Sequence, residues 1–142
     1  MHHIVYQSSA VGQPTIAELK FLLQHSRMHN SRLGITGLLL YGNGEYLQVL
    51  EGEEAVVRQM YATIQTDYRH THIITLSDGP IQARVFVDWS MGFQKLSDED
   101  FVRLTGYIDP YRANFLDAHL PEIGEGMLML LKSFVGSAAP LL

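Results

Sequence analysis

"GITGLLLYGNGEYLQVLEG", residues 34–52, decides the fold. Two apolar runs flank the triplet Gly42-Asn43-Gly44, which is the pattern of a β-hairpin whose turn residues supply positive φ angles. Alternation in the second run sets Tyr46, Gln48 and Leu50 on one face and Leu47 and Val49 on the other. Both hairpin strands are apolar on both faces, so other elements must cover each side of the sheet. Gln48 breaks the apolar pattern, and a buried amide needs hydrogen-bond partners.

Outward from the hairpin, "HHIVYQSSA" (residues 2–10) reads as a strand with Ile4, Tyr6 and Ser8 on one face, ending near Ser9 before "GQP". "TIAE" (15–18) is a capping box, Thr15 accepting from the Glu18 amide and the Glu18 side chain returning the bond. Ile16, Leu19, Leu23, Ser26 and Asn30 follow at helical spacing, so they form one stripe whose far end is polar. After the hairpin, "EEAVVRQMYATIQ" (53–65) reads as a second amphipathic helix with Val56, Met60 and Ile64 along one face. "HTHIITL" (70–76) and "RVFVDWSMGF" (84–93) read as strands separated by an "SDGP" turn (77–80). The order βαββαββ predicts an α+β domain of ferredoxin-like type, with both helices on one face of a mixed five-stranded sheet. The second face is assigned to C-terminal helices drawn from "SDEDFVRL" (97–104), with Ser97 and Asp100 at its start, and from Met127–Phe134. Residues 107–124 read as a turn-rich connection.

Composition narrows the function classes. A chain of 142 residues is read as one domain that buries a real core. Its net charge of −5 and scattered Lys and Arg give no basic stripe, which argues against nucleic acid as a partner. The absence of cysteine removes disulfides, thiolate metal sites and thiol nucleophiles. Neither a signal peptide nor an apolar run of about 20 residues is seen, so the expectation is a cytoplasmic protein with no membrane partner. No phosphate loop, nucleophile elbow or H-E-x-x-H helix is present, and the chain is not expected to be an enzyme.

Several residues carry chemistry. Tyr6 and Gln48 each face the helical side from mid-strand; a phenol that can yield an electron and a proton together and an amide that donates at one end and accepts at the other could relay a change between a ligand and the sheet, or they can satisfy one another as a core pair. Asn30 fits a helix C-cap, although Ser26 one turn earlier makes that whole end polar. In "DYRHTH" (67–72), His70 and His72 are placed on one strand face, but two histidines without cysteine or a carboxylate pair are a weak metal signal, and no metal is assigned. Asp67 and Arg69 could grip a polar ligand or form an exposed ion pair. Trp89 and Met91 are placed on one face of the fifth strand, as core or as a pocket gate.

Taken together, "YQSSA", "SRMHN", "GITGLLLY", "EYLQVLEG", "DYRH" and "FVDWSMGF" resemble the BLUF family, the blue-light sensors that use FAD. The resemblance covers residues 1–93, leaving 94–142 as a C-terminal helical cap or output extension of the same structural domain. It implies noncovalent FAD between the two helices, with FMN or riboflavin as substitutes on isolation. By resemblance Tyr6 is the photoactive tyrosine, Gln48 the switching glutamine, and Trp89 and Met91 the strand-five pair that carries the signal. Asn30 is then a contact to the flavin's pyrimidine edge, Asp67, Arg69 and His70 contacts to ring carbonyls and ribityl chain, and Ser8, Ser26 and His29 pocket neighbours. It further implies a light-driven electron and proton exchange with Tyr6, ending in a slightly red-shifted state. Output is expected through homo-oligomerisation or a separate signalling protein, from the Ser97 helix and residues 126–134. The competing reading is a light-indifferent ferredoxin-like module that binds a small metabolite.

Overall fold

The computed structural model describes residues 1–108. Its elements are β1 (His2–Ala10), α1 (Ile16–Leu33), β2 (Thr36–Gly42), β3 (Glu45–Gly52), α2 (Glu54–Gln65), β4 (His70–Pro80), β5 (Gly92–Lys95) and α3 (Asp98–Ile108). They form a five-stranded sheet in the order β4-β1-β3-β2-β5, antiparallel throughout except for the β2/β5 pair. This is the expected α+β, ferredoxin-like arrangement.

The hairpin closes as its sequence dictates. Gly42 pairs with Glu45, and the two residues between them, Asn43 and Gly44, adopt φ of 52° and 69°, the left-handed pair that a two-residue turn needs. α1 starts on Thr15, whose Oγ1 accepts the Glu18 N–H at 3.1 Å while the Glu18 carboxylate accepts from the Thr15 hydroxyl at 3.2 Å. It ends on Gly34 (φ 68°), one turn past Asn30, so Asn30 is not its cap. Of the stripe read on α1, Leu19, Leu23 and Asn30 are buried, whereas Ile16 is exposed in the first turn.

Strand alternation divides the core in two. Ile4, Tyr6, Leu39, Tyr46 and Leu50 pack with Leu19 and Leu23 of α1 and Val57 and Tyr61 of α2. Val5, Leu38, Leu40, Leu47 and Val49 point the other way, against Phe86, Leu96 and Phe101 of α3. The Ser97 helix therefore does cover the second face, its Asp100 N–H capped by Ser97 Oγ at 3.1 Å. Residues 127–134, given the same task from sequence, lie outside the described residues.

Two expectations are corrected. "SDGP" is not a turn: β4 runs through it to Pro80, paired with the start of β1, because His2 Nε2 meets Asp78 Oδ1 at 2.6 Å and His3 Nε2 meets Ser77 Oγ at 2.9 Å. Pro80 is tolerated there because β4 is an edge strand and needs no further donor. Nor is 84–93 a strand, since β5 begins only at Gly92 and residues 84–91 are irregular. Their backbone is held by groups from β2, β3 and α1 instead of by a ladder.

Candidate functional site

Between α1, α2 and the sheet lies a cavity of about 510 Å³. Its walls are apolar side chains such as Leu22, Leu39, Leu50, Met60 and Ile64, with polar groups placed at a few points, the composition of a small-molecule site. Tyr6, Ser26, His29, Asn30, Gln48, Asp67, Arg69 and His70 all line it, so eight of the sequence candidates converge from four elements and the α2/β4 loop.

The floor is the β1/β3 pair. Tyr6 and Gln48 are directly opposite in register, which puts both side chains on the same face at adjacent positions. Tyr6 Oη donates to Gln48 Oε1, fixing the amide so that Gln48 Nε2 points to Met91 and donates to its Sδ at 3.5 Å. Burial, reinforced by the neighbouring Tyr61, Tyr46 and Asp67, raises the Tyr6 pKa far above that of a free phenol. Tyr61 packs against it, ring centroids 5.3 Å apart, and Tyr46, pushed up to about 12 chiefly by burial, completes the aromatic wall.

Asn30 is brought in by α1, buried, with Nδ2 donating to the Ser90 carbonyl at 2.8 Å. At the opposite rim Arg69 grips Asp67, Nη2 to Oδ2 2.5 Å and Nε to both oxygens at 3.0 Å. That side-chain hydrogen bond, outweighing partial burial, holds the Asp67 carboxyl below the usual range. His70 is fixed at both nitrogens. Nε2 lies 2.6 Å from the Ile64 carbonyl, which can only accept, so in the singly protonated ring Nδ1 accepts the Ser8 hydroxyl at 2.7 Å.

Three placements differ from the sequence reading. Ser8 does not line the cavity but stands behind His70 as its partner. His70 and His72 do not share a face, because His72 sits at φ 54° beside a register shift in β4 and is exposed. No group of three metal-ligating side chains occurs among the described residues. Trp89 and Met91 point to opposite faces of the sheet: Met91 packs with Tyr6 on the cavity side, whereas Trp89 packs against Phe86 on the α3 side, ring centroids 5.7 Å apart and tilted by 42°. Sequence reasoning missed Arg27, whose Nε donates to the Met91 carbonyl at 2.9 Å, and the fully buried Glu51. It also missed Tyr46 and the wall residues Gln59 and Thr63, although helical spacing from Val56 points to the latter pair.

Comparison with known proteins agrees with this geometry. Residues 1–92 match the sequence model of BLUF, described as sensors of blue light using FAD. The chain is 34% identical over 89 residues to the photoactivated adenylate cyclase subunit beta of Euglena longa, covering 62% of this chain and 10% of that protein. It is 28% identical over 83 residues to the blue light- and temperature-regulated antirepressor BluF of Escherichia coli K12, covering 58% of this chain and 21% of that one. The dark-state structure of BlrB, a BLUF protein, superimposes with a TM-score of 0.68 at 28% identity, covering 96% of both chains. This chain thus spans about one tenth of the cyclase relative's length. No helix among the described residues is long and apolar enough to cross a membrane.

Proposed function

This chain belongs to the BLUF family of blue-light sensors using FAD, and from that premise we propose that Tyr6, Gln48 and Met91 form its light switch. The observation that carries the proposal is the Gln48 amide, bridging Tyr6 Oη and Met91 Sδ on the cavity floor.

The cavity suits a flavin. Its apolar walls accept the faces of a flat aromatic ring, and the amides of Asn30 and Gln48 offer both donors and acceptors to a ring edge of carbonyls and N–H groups. Asn30, Gln48, Asp67, Arg69 and His70 would hold the polar edge and side chain, with Ser26 and His29 on the wall and Ser8 acting through His70.

Bound flavin supplies a strong one-electron oxidant once it has absorbed blue light. Tyr6, on the floor of the site, is the residue that would supply the electron to such an oxidant. Burial keeps the phenol protonated, and its Oη–H is already directed at Gln48 Oε1, so that is the atom toward which the proton would move if Tyr6 gave up an electron to the excited flavin. Return of the proton to Tyr6 once the Gln48 amide has rotated or tautomerised would restore the phenol and leave nothing consumed. Rotation has a consequence visible in this geometry: it turns Oε1 toward Met91 Sδ, which has no hydrogen to donate. The contact to Met91 is then lost. A net hydrogen bond is worth only about 1 kcal/mol, so output must act on an element already balanced between two states.

Residues 1–93 are the sensory unit in this reading and 94–142 its output extension. Effector activity resides in a separate signalling protein or arises from a change in self-assembly, with α3 as one output surface. The test is the absorption spectrum of the FAD-loaded protein in darkness and after blue light. A small red shift that recovers in the dark and disappears in Tyr6→Phe and Gln48→Leu is expected. A colourless protein that cannot be loaded, or a yellow one indifferent to light, would refute the reading in favour of a metabolite-binding module.

A further inference from the structure

Glu51 has no accessible surface and does not line the cavity. It follows Gln48 by three positions on β3, so its side chain leaves the opposite face of the sheet. There its carboxylate accepts from two consecutive backbone N–H groups, Val85 to Oε2 at 2.7 Å and Phe86 to Oε1 at 2.8 Å. Thr36 Oγ1 donates to Oε1 at 2.9 Å, and Arg84 Nη1 closes the cluster on Thr36 Oγ1 at 2.9 Å and on the Glu51 carbonyl at 3.2 Å. A buried carboxylate is costly unless its oxygens are satisfied, and these are.

The clamp starts a strap of irregular chain that ends at the switch. Phe86 O accepts the Trp89 N–H at 3.1 Å, and Trp89 O accepts the Gly37 N–H at 3.0 Å. The next two carbonyls go to α1: Ser90 O to Asn30 Nδ2 at 2.8 Å and Met91 O to Arg27 Nε at 2.9 Å. Met91 Sδ then meets Gln48. Two amides that line the cavity, Asn30 and Gln48, therefore each hold one residue of this strap.

We infer that Glu51 is a positioning residue for the light switch: its carboxylate anchors residues 85–91 and thereby sets where the Met91 sulfur stands against the Gln48 amide. The inference rests on the proposed function and adds to it a residue outside the cavity. The chemistry is specific to an ionised carboxylate, which accepts at both oxygens and donates nothing. A glutamine offers one acceptor and turns an N–H against the second backbone N–H. An aspartate is one methylene short.

The experiment uses the full chain loaded with FAD and compares wild type with Glu51→Gln by flash photolysis and light-minus-dark infrared spectroscopy with labelled glutamine. We expect the variant to keep its flavin and its red shift, to recover in the dark about tenfold more slowly, and to show a displaced Gln48 carbonyl band. Recovery within twofold of wild type together with an unchanged band would overturn the inference. Should Glu51→Gln fail to fold, Thr36→Val removes one donor to the same carboxylate at nearly constant shape. Recovery slowed about threefold or more there supports the anchor, and unchanged recovery overturns it. A wild-type protein that is indifferent to light identifies failure of the sensor reading itself, and the inference falls with it.

Discussion

Gly92→Ala tests the placement of Trp89 most directly. A Cβ at residue 92 would lie 2.3 Å from Trp89 Cε3, 2.9 Å from Cζ3 and 3.1 Å from Cδ2. Carbon atoms settle at about 3.5–4.0 Å, so the indole must withdraw by more than ~1 Å. It cannot do so freely, because it rests on Phe86 at 5.7 Å and its carbonyl is bonded to the Gly37 N–H. Overpacking of this kind costs about 1–3 kcal/mol, and at about 2–4 °C per kcal/mol for a chain of this size Tm should fall by about 2–12 °C. Since Trp89 is the sole tryptophan, its emission reports the displacement without ambiguity. Met91 lies between Trp89 and Gly92, so the dark recovery rate should change as well. The assay is thermal unfolding by circular dichroism, with tryptophan emission and recovery recorded on the same samples. A variant with Tm within about 1 °C of wild type and unchanged emission would refute the reasoning, because it would mean that the indole does not lie over Gly92.

Met91→Leu removes the sulfur acceptor at nearly constant volume; it should cost less than about 1.5 kcal/mol in denaturant titrations yet alter recovery, separating switching from packing. Gly37→Ala should abolish soluble expression, since the added Cβ would lie 1.8 Å from the Val49 carbonyl oxygen in the centre of the sheet. Acid should destabilise the protein in a defined direction. The Asp67 carboxyl is held low by its hydrogen bonds to Arg69, so the unfolded chain binds more protons, and this stabilisation is present above the ordinary carboxyl range and lost as pH falls through the depressed value. Asp78 acts the same way, His2 and Arg58 together outweighing its burial, and Asp67→Asn should flatten the Tm-against-pH curve between about pH 5 and 3. Adding FAD to the stripped protein at a hundred times its Kd should raise stability by about 2.7 kcal/mol, read as a Tm rise of about 5–10 °C; no rise would argue against the cavity as the flavin site.

Much of the site was legible in local pattern. The Asn43-Gly44 turn fixes the hairpin register, and period-two alternation from that turn carries Gln48 to the helical face. Tyr6 follows from the same alternation in β1, and the α1 stripe leads to Ser26 and Asn30. These are short-range consequences of chain geometry, in which a residue's neighbours along the sequence determine which way it points. The resemblance adds what the residues do, because an amide, a phenol and a thioether on one face are compatible with an ordinary core until a chromophore is specified.

The segment between β4 and β5 is different. "RVFVDWSMGF" has the composition of a strand, and in isolation nothing opposes that reading. It is overridden because its backbone groups find stronger partners far away in sequence: the Glu51 carboxylate on the N–H groups of Val85 and Phe86, Gly37 on Trp89, and the side chains of Asn30 and Arg27 on the carbonyls of Ser90 and Met91. With the ladder broken, alternation no longer applies, and Trp89 and Met91 part to opposite faces of the sheet. "SDGP" is overridden in the same way, its strand extended by His2 and His3 across the sheet. Sequence by itself determined the elements whose backbone bonds close locally or across a two-residue turn. Tertiary structure alone decided the segment next to Gln48, because a backbone whose hydrogen bonds are satisfied by distant side chains carries no periodic signal of its own.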